Sequence, residues 1–190
     1  MESAVKKFSV EKNLPILQPI NLKDKSFISE LKSFGADLHV VVAFRMLPEA
    51  VWNMPINGTV NLHGSLLPQY RGAAPINWVI INGEKESGVT TFFLKQKIDT
   101  GNVILQRTVD IKKNDTAGVL HDNLMATGAE LLSETVKLIQ EGKASGKEQD
   151  GLFSIESDLK HAPKIFKPDC QINWNQTNQK AHDFIRGLSP

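Results

Sequence analysis

The chain has 190 residues, 41% of them hydrophobic, with 22 Lys and Arg against 21 Asp and Glu and a formal net charge of +1: enough for one ordinary domain with a real core. Balanced charge excludes the broad basic surface on which non-specific nucleic-acid binders and membrane-surface proteins rely. The single cysteine, Cys170, excludes an internal disulfide or thiolate metal cluster and points to a reducing compartment, the cytoplasm.

Taken in chain order, Val5, Phe8 and Val10 among lysines predict a short helix over Ser3 to Lys12, stopped at Asn13. Phe27, Ile28, Leu31 and Phe34 predict a second helix ending at Gly35. Leu38 to Phe44 reads as a strand covered on both faces; interrupted by His39, it is far shorter than the ~20 residues a membrane crossing needs. Pro48 opens a helix carrying Val51 and Trp52, Asn57-Gly58 turns, and Thr59 to His63 is the next strand, expected to run parallel to the first through a right-handed crossover. Pro75 to Gly83 is a helix. Gly88 to Leu94 and Asn102 to Ile111 are joined so closely that they are expected to pair antiparallel. Asp115 is the expected cap of the longest helix, Thr116 to Gln140, with a buried stripe of Leu120, Leu124, Leu131, Leu132, Val136 and Ile139. Ala144 to Gly151 reads as an exposed loop or linker, and apolar residues return at Ala181 to Leu188. The fold class is therefore α/β. Because the chain opens in a helix where an open α/β sheet opens in a strand, a segment upstream is expected.

Side chains alternate along Thr59 to His63, so Asn61 and His63 share a face at the strand's C-terminal end, where ligands bind in open α/β sheets. A covered strand is apolar on both faces, and this pair is an exception that reads equally as a satisfied strand end or as a site. The loop Gly64 to Pro75 mixes turn formers with Leu66 and Leu67, which suit either a ligand wall or ordinary core. Asp99 lies in Ile98-Asp99-Thr100-Gly101, a turn in which an aspartate can bond its own backbone. The Asp-Thr-Gly turn of aspartic proteases needs two such aspartates in mostly β architecture, which this chain lacks. His39, His121, His161, His182 and Cys170 have no metal-ligand spacing, and phosphate-cradle and hydrolase-elbow motifs are missing.

Asn61-Leu62-His63-Gly64-Ser65-Leu66-Leu67-Pro68, then Tyr70-Arg71-Gly72-Ala73-Ala74-Pro75 and Ile98-Asp99-Thr100-Gly101, closely resemble the formyltransferase family that uses 10-formyltetrahydrofolate. His161-Ala162-Pro163-Lys164-Ile165 and Ile172-Asn173-Trp174 resemble most the members that act on methionyl-tRNA. The resemblance implies an incomplete Rossmann-like catalytic domain over residues 1–150, mostly parallel with an antiparallel strand pair, lacking its N-terminal strands. Residues 151–190 would be an extension and linker toward a C-terminal OB-like domain. It implies Asn61, His63 and Asp99 as catalytic residues, Ser65, Leu66, Leu67 and Pro68 as the loop contacting folate, 10-formyltetrahydrofolate as donor co-substrate with no metal, and initiator methionyl-tRNA as acceptor. A monomer away from membranes is expected. The alternatives are another amine acceptor, such as glycinamide ribonucleotide or an amino sugar, or an inactive folate-binding fragment.

The residue types suit that chemistry. An amine attacking a formyl carbon drives charge onto the carbonyl oxygen. The Asn61 amide and a ring N–H of His63 are donors for that oxyanion. Asp99, on reaching His63, would fix the ring's tautomer and could take a proton from the amine through a water.

Overall fold

The computed structural model describes residues 2–43, 46–149 and 159–190. The chain divides into two compact units, Met1–His39 with Arg45–Gly58, and Val40–Phe44 with Thr59–Pro190.

The second unit carries the sheet, whose strand order is β1 (His39–Val42), β2 (Thr59–His63), β4 (Glu86–Phe93) and β5 (Val103–Asp110). The expected hairpin is present: β4 and β5 pair antiparallel from Glu86↔Asp110 to Phe92↔Val103, with an irregularity between Thr91 and Phe92. β2 is also antiparallel to β4, with Asn61 opposite Phe92 and His63 opposite Thr90, so the antiparallel part of the sheet is one strand wider than the hairpin. Sequence reasoning missed a small second sheet, in which β3 (Arg71–Gly72) runs parallel to β6 (His161–Ala162). β1 departs from its expected cover. Val40 and Val42 stand exposed at the edge of the sheet, so one face of this strand is open; Phe44 lies outside the described residues.

Against β4 and β5 lies α5 (Ala117–Gln140), the long helix, with α4 (Pro75–Ile81) beside it. Tyr70, Val79, Ile80, Val89, Leu120, Leu124 and Leu131 form the buried core. The helix is capped by Thr116, whose side chain accepts the Val119 N–H, and not by Asp115, which instead turns back to accept the Lys112 N–H. Both are good cap residues; the tight turn at 112–115 takes Asp115. The buried stripe follows Ala117, Leu120, Leu124, Gly128, Leu131 and Thr135, while Leu132, Val136 and Ile139 are half-buried at its flank. Gly128 belongs to the stripe because a Cβ there would press on the Leu62 side chain at 2.9 Å. Leu67, Phe92 and Val103 form a second, smaller cluster.

The expected exposed loop from Ala144 is not loose. Lys147 bridges to Val103 through both backbone bonds at 2.8 Å, and Gln149 is 2% exposed; the end of the expected segment, 150–151, lies outside the described residues. The final helix, α6 (Asn178–Gly187), packs on α4 through Gly187, whose missing Cβ makes room for Ile81.

The first unit contains α1 (Ala4–Glu11), capped by Ser3, α2 (Lys25–Ser33), capped by Asp24, and α3 (Glu49–Trp52), which follows Pro48. All three match the helices expected from the sequence. The Ser26 hydroxyl, with the Phe27 and Ser26 N–H groups, donates to Asp24 and holds its carboxyl below the ordinary carboxylate value.

Candidate functional site

Asn61 and His63 do share a face of β2, and both are buried. Asn61 Nδ2 donates to the Val41 carbonyl at 3.1 Å, which uses one of its two N–H groups. His63 Nε2 lies 3.0 Å from the Tyr70 carbonyl oxygen. A carbonyl can only accept, so Nε2 carries a proton and Nδ1 is the nitrogen turned toward Asp99.

Asp99 reaches His63 from 36 residues away in sequence. The hairpin connection between β4 and β5 curls back on itself: Asp99 has φ 51 and Gly101 packs so closely on the Phe93 carbonyl that any side chain there would collide with it. The Asp99 carboxylate, 7% exposed, accepts the Gly72 N–H at 3.0 Å, and its Oδ2 lies 3.9 Å from His63 Nδ1. Asp99 therefore approaches His63, which shares its strand face with Asn61. Two details differ from expectation: the His63 to Asp99 separation is within ion-pair reach but longer than a hydrogen bond, and one ring N–H of His63 is already committed to Tyr70.

The loop after β2 holds this geometry. Ser65 donates to the Gln69 carbonyl at 2.7 Å, and its own carbonyl accepts the Thr90 hydroxyl at 2.6 Å. Leu67 N–H donates to Thr90 Oγ1, and the Leu67 carbonyl accepts Gln106 Nε2 at 2.8 Å. Of the four residues expected to face folate, Ser65, Leu67 and Pro68 are buried and Leu66 is half-buried. The Ser65 hydroxyl and the Leu67 side chain are thus engaged internally, with Leu67 in core, the alternative the composition left open.

Tyr70, with φ 60, supplies the carbonyl that His63 uses, and its phenol donates to Glu84, which also takes Lys160. Burial, then the Glu84 carboxylate, pushes the Tyr70 hydroxyl well above its ordinary value, so it stays a donor. Burial opposes the charge on Glu84, but Lys160 and Tyr70 outweigh it and keep the carboxyl below its usual value. Gln149 completes the surroundings: it donates to the carbonyls of Asp99 and Gly101 and accepts from Arg71. No sequence signal marks it, since a glutamine between Glu148 and Asp150 among small, charged residues reads as solvated.

A family profile described as formyl transferase matches residues 1–136. The chain is similar to a protein named methionyl-tRNA formyltransferase from Parabacteroides distasonis, at 56% identity over 188 residues, 99% of this chain and 58% of that protein. A protein of the same name from Bacteroides fragilis is 55% identical over the same shares. The chain thus spans somewhat over half the length of these relatives. Among solved structures, a 4-N formyltransferase from Francisella tularensis matches 98% of this chain and 72% of its own with TM-score 0.75 at 20% identity, a likeness of fold alone. An N-formyltransferase from Helicobacter canadensis, crystallised with folinic acid and dTDP-3-aminofucose, is 30% identical over 68% of this chain and 46% of its own, with TM-score 0.59.

Proposed function

The chain belongs to the formyl transferase family, and on that premise we propose that it carries the formyl-transfer site of an enzyme that moves a formyl group from 10-formyltetrahydrofolate to the amino group of methionyl-tRNA. The observation that carries this reading is that Oδ2 of Asp99 comes within 3.9 Å of Nδ1 of His63, which shares a face of β2 with Asn61, all three residues being buried. The identity of the relatives named methionyl-tRNA formyltransferase supports the acceptor.

The chemistry follows from those groups. The amine nitrogen of the acceptor forms a bond to the formyl carbon, and the carbonyl oxygen takes up negative charge as it becomes tetrahedral. The second N–H of Asn61 is the donor left for that oxygen. The attacking nitrogen must lose a proton, and Nδ1 of His63 is the base on hand, with the Asp99 carboxylate beside it to stabilise the imidazolium that results. The bond from the carbon to N10 then breaks, and N10 takes a proton as it leaves, which His63 can return. His63 so acts as base and acid in turn, while its Nε2 bond to Tyr70 keeps the ring from rotating. The buried setting strengthens each of these electrostatic contacts.

The test is transfer of labelled formyl from 10-formyltetrahydrofolate to methionyl-tRNA, with glycinamide ribonucleotide and an amino-sugar nucleotide as competing acceptors. It is run on this chain alone and on the protein at its relatives' full length. The expected result is labelled methionyl-tRNA. Label entering the amino sugar in preference would move the acceptor to the sugar formyltransferase reading, and no transfer at full length would overturn the proposal.

A further inference from the structure

Gln149 is a buried polar side chain to which the proposed chemistry gives no task. It is 2% exposed, and each of its hydrogen-bonding positions is filled. Nε2 donates to the Asp99 carbonyl at 2.9 Å and the Gly101 carbonyl at 2.7 Å, while Oε1 accepts Arg71 Nε at 3.1 Å and Nη2 at 2.6 Å. A primary amide has two donors and one oxygen with two lone pairs, so four bonds is its full capacity. The orientation is forced, because a flipped amide would set its oxygen against two carbonyls and its NH2 against a guanidinium.

We propose that Gln149, held by Arg71, is a positioning residue that sets the Asp99 carboxylate against His63. Asp99 sits in the left-handed region, uncommon for residues other than glycine although aspartate is enriched there, and its turn is held by its neighbours. Here both of the amide's acceptors belong to the turn that bears the carboxylate, one on Asp99 itself and one two residues on. The arrangement closes into a ring. Arg71 anchors Gln149, the next residue, Gly72, gives its N–H to Asp99 Oδ2, and Gln149 returns to the Asp99 backbone. Tyr70, immediately before, takes His63 Nε2, so three consecutive residues index the imidazole, the clamp and the carboxylate to one another. Without Gln149 two buried carbonyls lose their donor and the turn is released to relax, carrying the carboxylate away from Nδ1. A displacement on the order of 1 Å at a reacting centre costs about 10²-fold in rate.

This role rests on the reading of Asp99 given above, and the experiment separates the two. At full length, Gln149→Glu keeps the shape and the Arg71 contact but turns an oxygen toward two carbonyls, and Gln149→Met keeps the volume and loses all four bonds. Turnover is expressed per site counted by stoichiometric binding of 5-formyltetrahydrofolate. Both variants are expected to lose roughly 10- to 100-fold in kcat with KM for the donor within about threefold. A glutamine that merely filled the core would lower the melting temperature and the number of sites while kcat per site stayed at the wild-type value, and that result overturns the proposal. Asp99→Asn is measured alongside. Loss of turnover in Asp99→Asn with kcat retained in both Gln149 variants removes the positioning role alone, whereas retention in Asp99→Asn removes the site reading and the role together. Where neither Gln149 variant folds, exchange of its side-chain NH2 protons in the wild-type chain decides: protection is expected, and exchange as fast as that of the exposed Gln171 overturns the clamp.

Discussion

Two buried aspartates, Asp183 in α6 and Asp99 in the β4–β5 connection, are equally hidden from solvent and very differently engaged. Asp183 Oδ1 accepts Arg186 Nε at 2.7 Å and its Oδ2 accepts Gln179 at 3.0 Å, while Arg186 goes on to donate to the Asp115 carbonyl. Each oxygen of that carboxylate has a donor, one of them the Arg186 guanidinium, and the pair ties α6 to the start of α5. Asp99 accepts a backbone N–H and stops 3.9 Å short of the imidazole it faces. Its backbone is clamped by Gln149 while its carboxylate faces the His63 ring, as the proposed stabilisation of an imidazolium needs. A tight ion pair holds a fold; a carboxylate held a little too far from its partner is one that can still act.

The largest effect expected from this contrast is on the structural side. Asp183→Ala leaves Arg186 charged, buried and without its partner, and should cost about 3–5 kcal/mol in denaturant unfolding, whereas replacing both residues by apolar ones of similar volume should recover much of it. If the single substitution costs under about 1 kcal/mol, the lock is no lock. Next come Asn61→Ala and Asp99→Asn, expected to reduce turnover by ~10² or more with donor affinity within a few-fold and stability nearly unchanged. A large loss of stability in Asp99→Asn with full turnover would make the two aspartates alike and erase the distinction.

Acid should test the structural side of the comparison. Burial opposes the charge on Asp183, but Gln179 and Arg186 hold its carboxyl below the ordinary 3.8. A depressed folded-state value means that the unfolded chain binds the proton first, so this contribution is fully present above about pH 4 and fades as the pH falls further. Glu84, held below its ordinary 4.5 with Lys160 and Tyr70 against burial, acts in the same sense. Urea midpoints measured from pH 6 to pH 3 should fall for the wild type and fall less steeply for Asp183→Asn. The smallest effect is Tyr70→Phe, which removes the phenol bond to Glu84 but leaves the backbone carbonyl for His63. A loss of about 0.5–1.5 kcal/mol in thermal unfolding, with little change in turnover, is expected.

Much of the fold was legible because local rules agree with the global answer. β2, α4 and the β4–β5 hairpin follow from alternation, from Pro75 and Gly83, and from a short connection. Two of the proposed site residues stood out for a related reason: Asn61 and His63 break the apolar pattern of a covered strand, which by itself left open a satisfied strand end, and the resemblance carried the rest. The β3–β6 pairing was not, because two-residue strands joined across some ninety residues leave no periodicity. Thr116 and Asp115 are both good caps, and only the turn at Lys112 decides between them. Gln149 stayed hidden for the deepest reason: its burial is created wholly by tertiary neighbours, and its own sequence surroundings argue for solvent.

Gly101 has a consequence for anyone who would transplant this chemistry. Because its α-carbon rests against the Phe93 carbonyl, the connection between the two hairpin strands cannot be lengthened, shortened or decorated at that point without changing where Asp99 is delivered. A graft that copied three side chains onto another scaffold would arrive with an aspartate and no address for it. The portable cassette is the strand with its loop through residue 72, the hairpin tip, and the glutamine that closes on them.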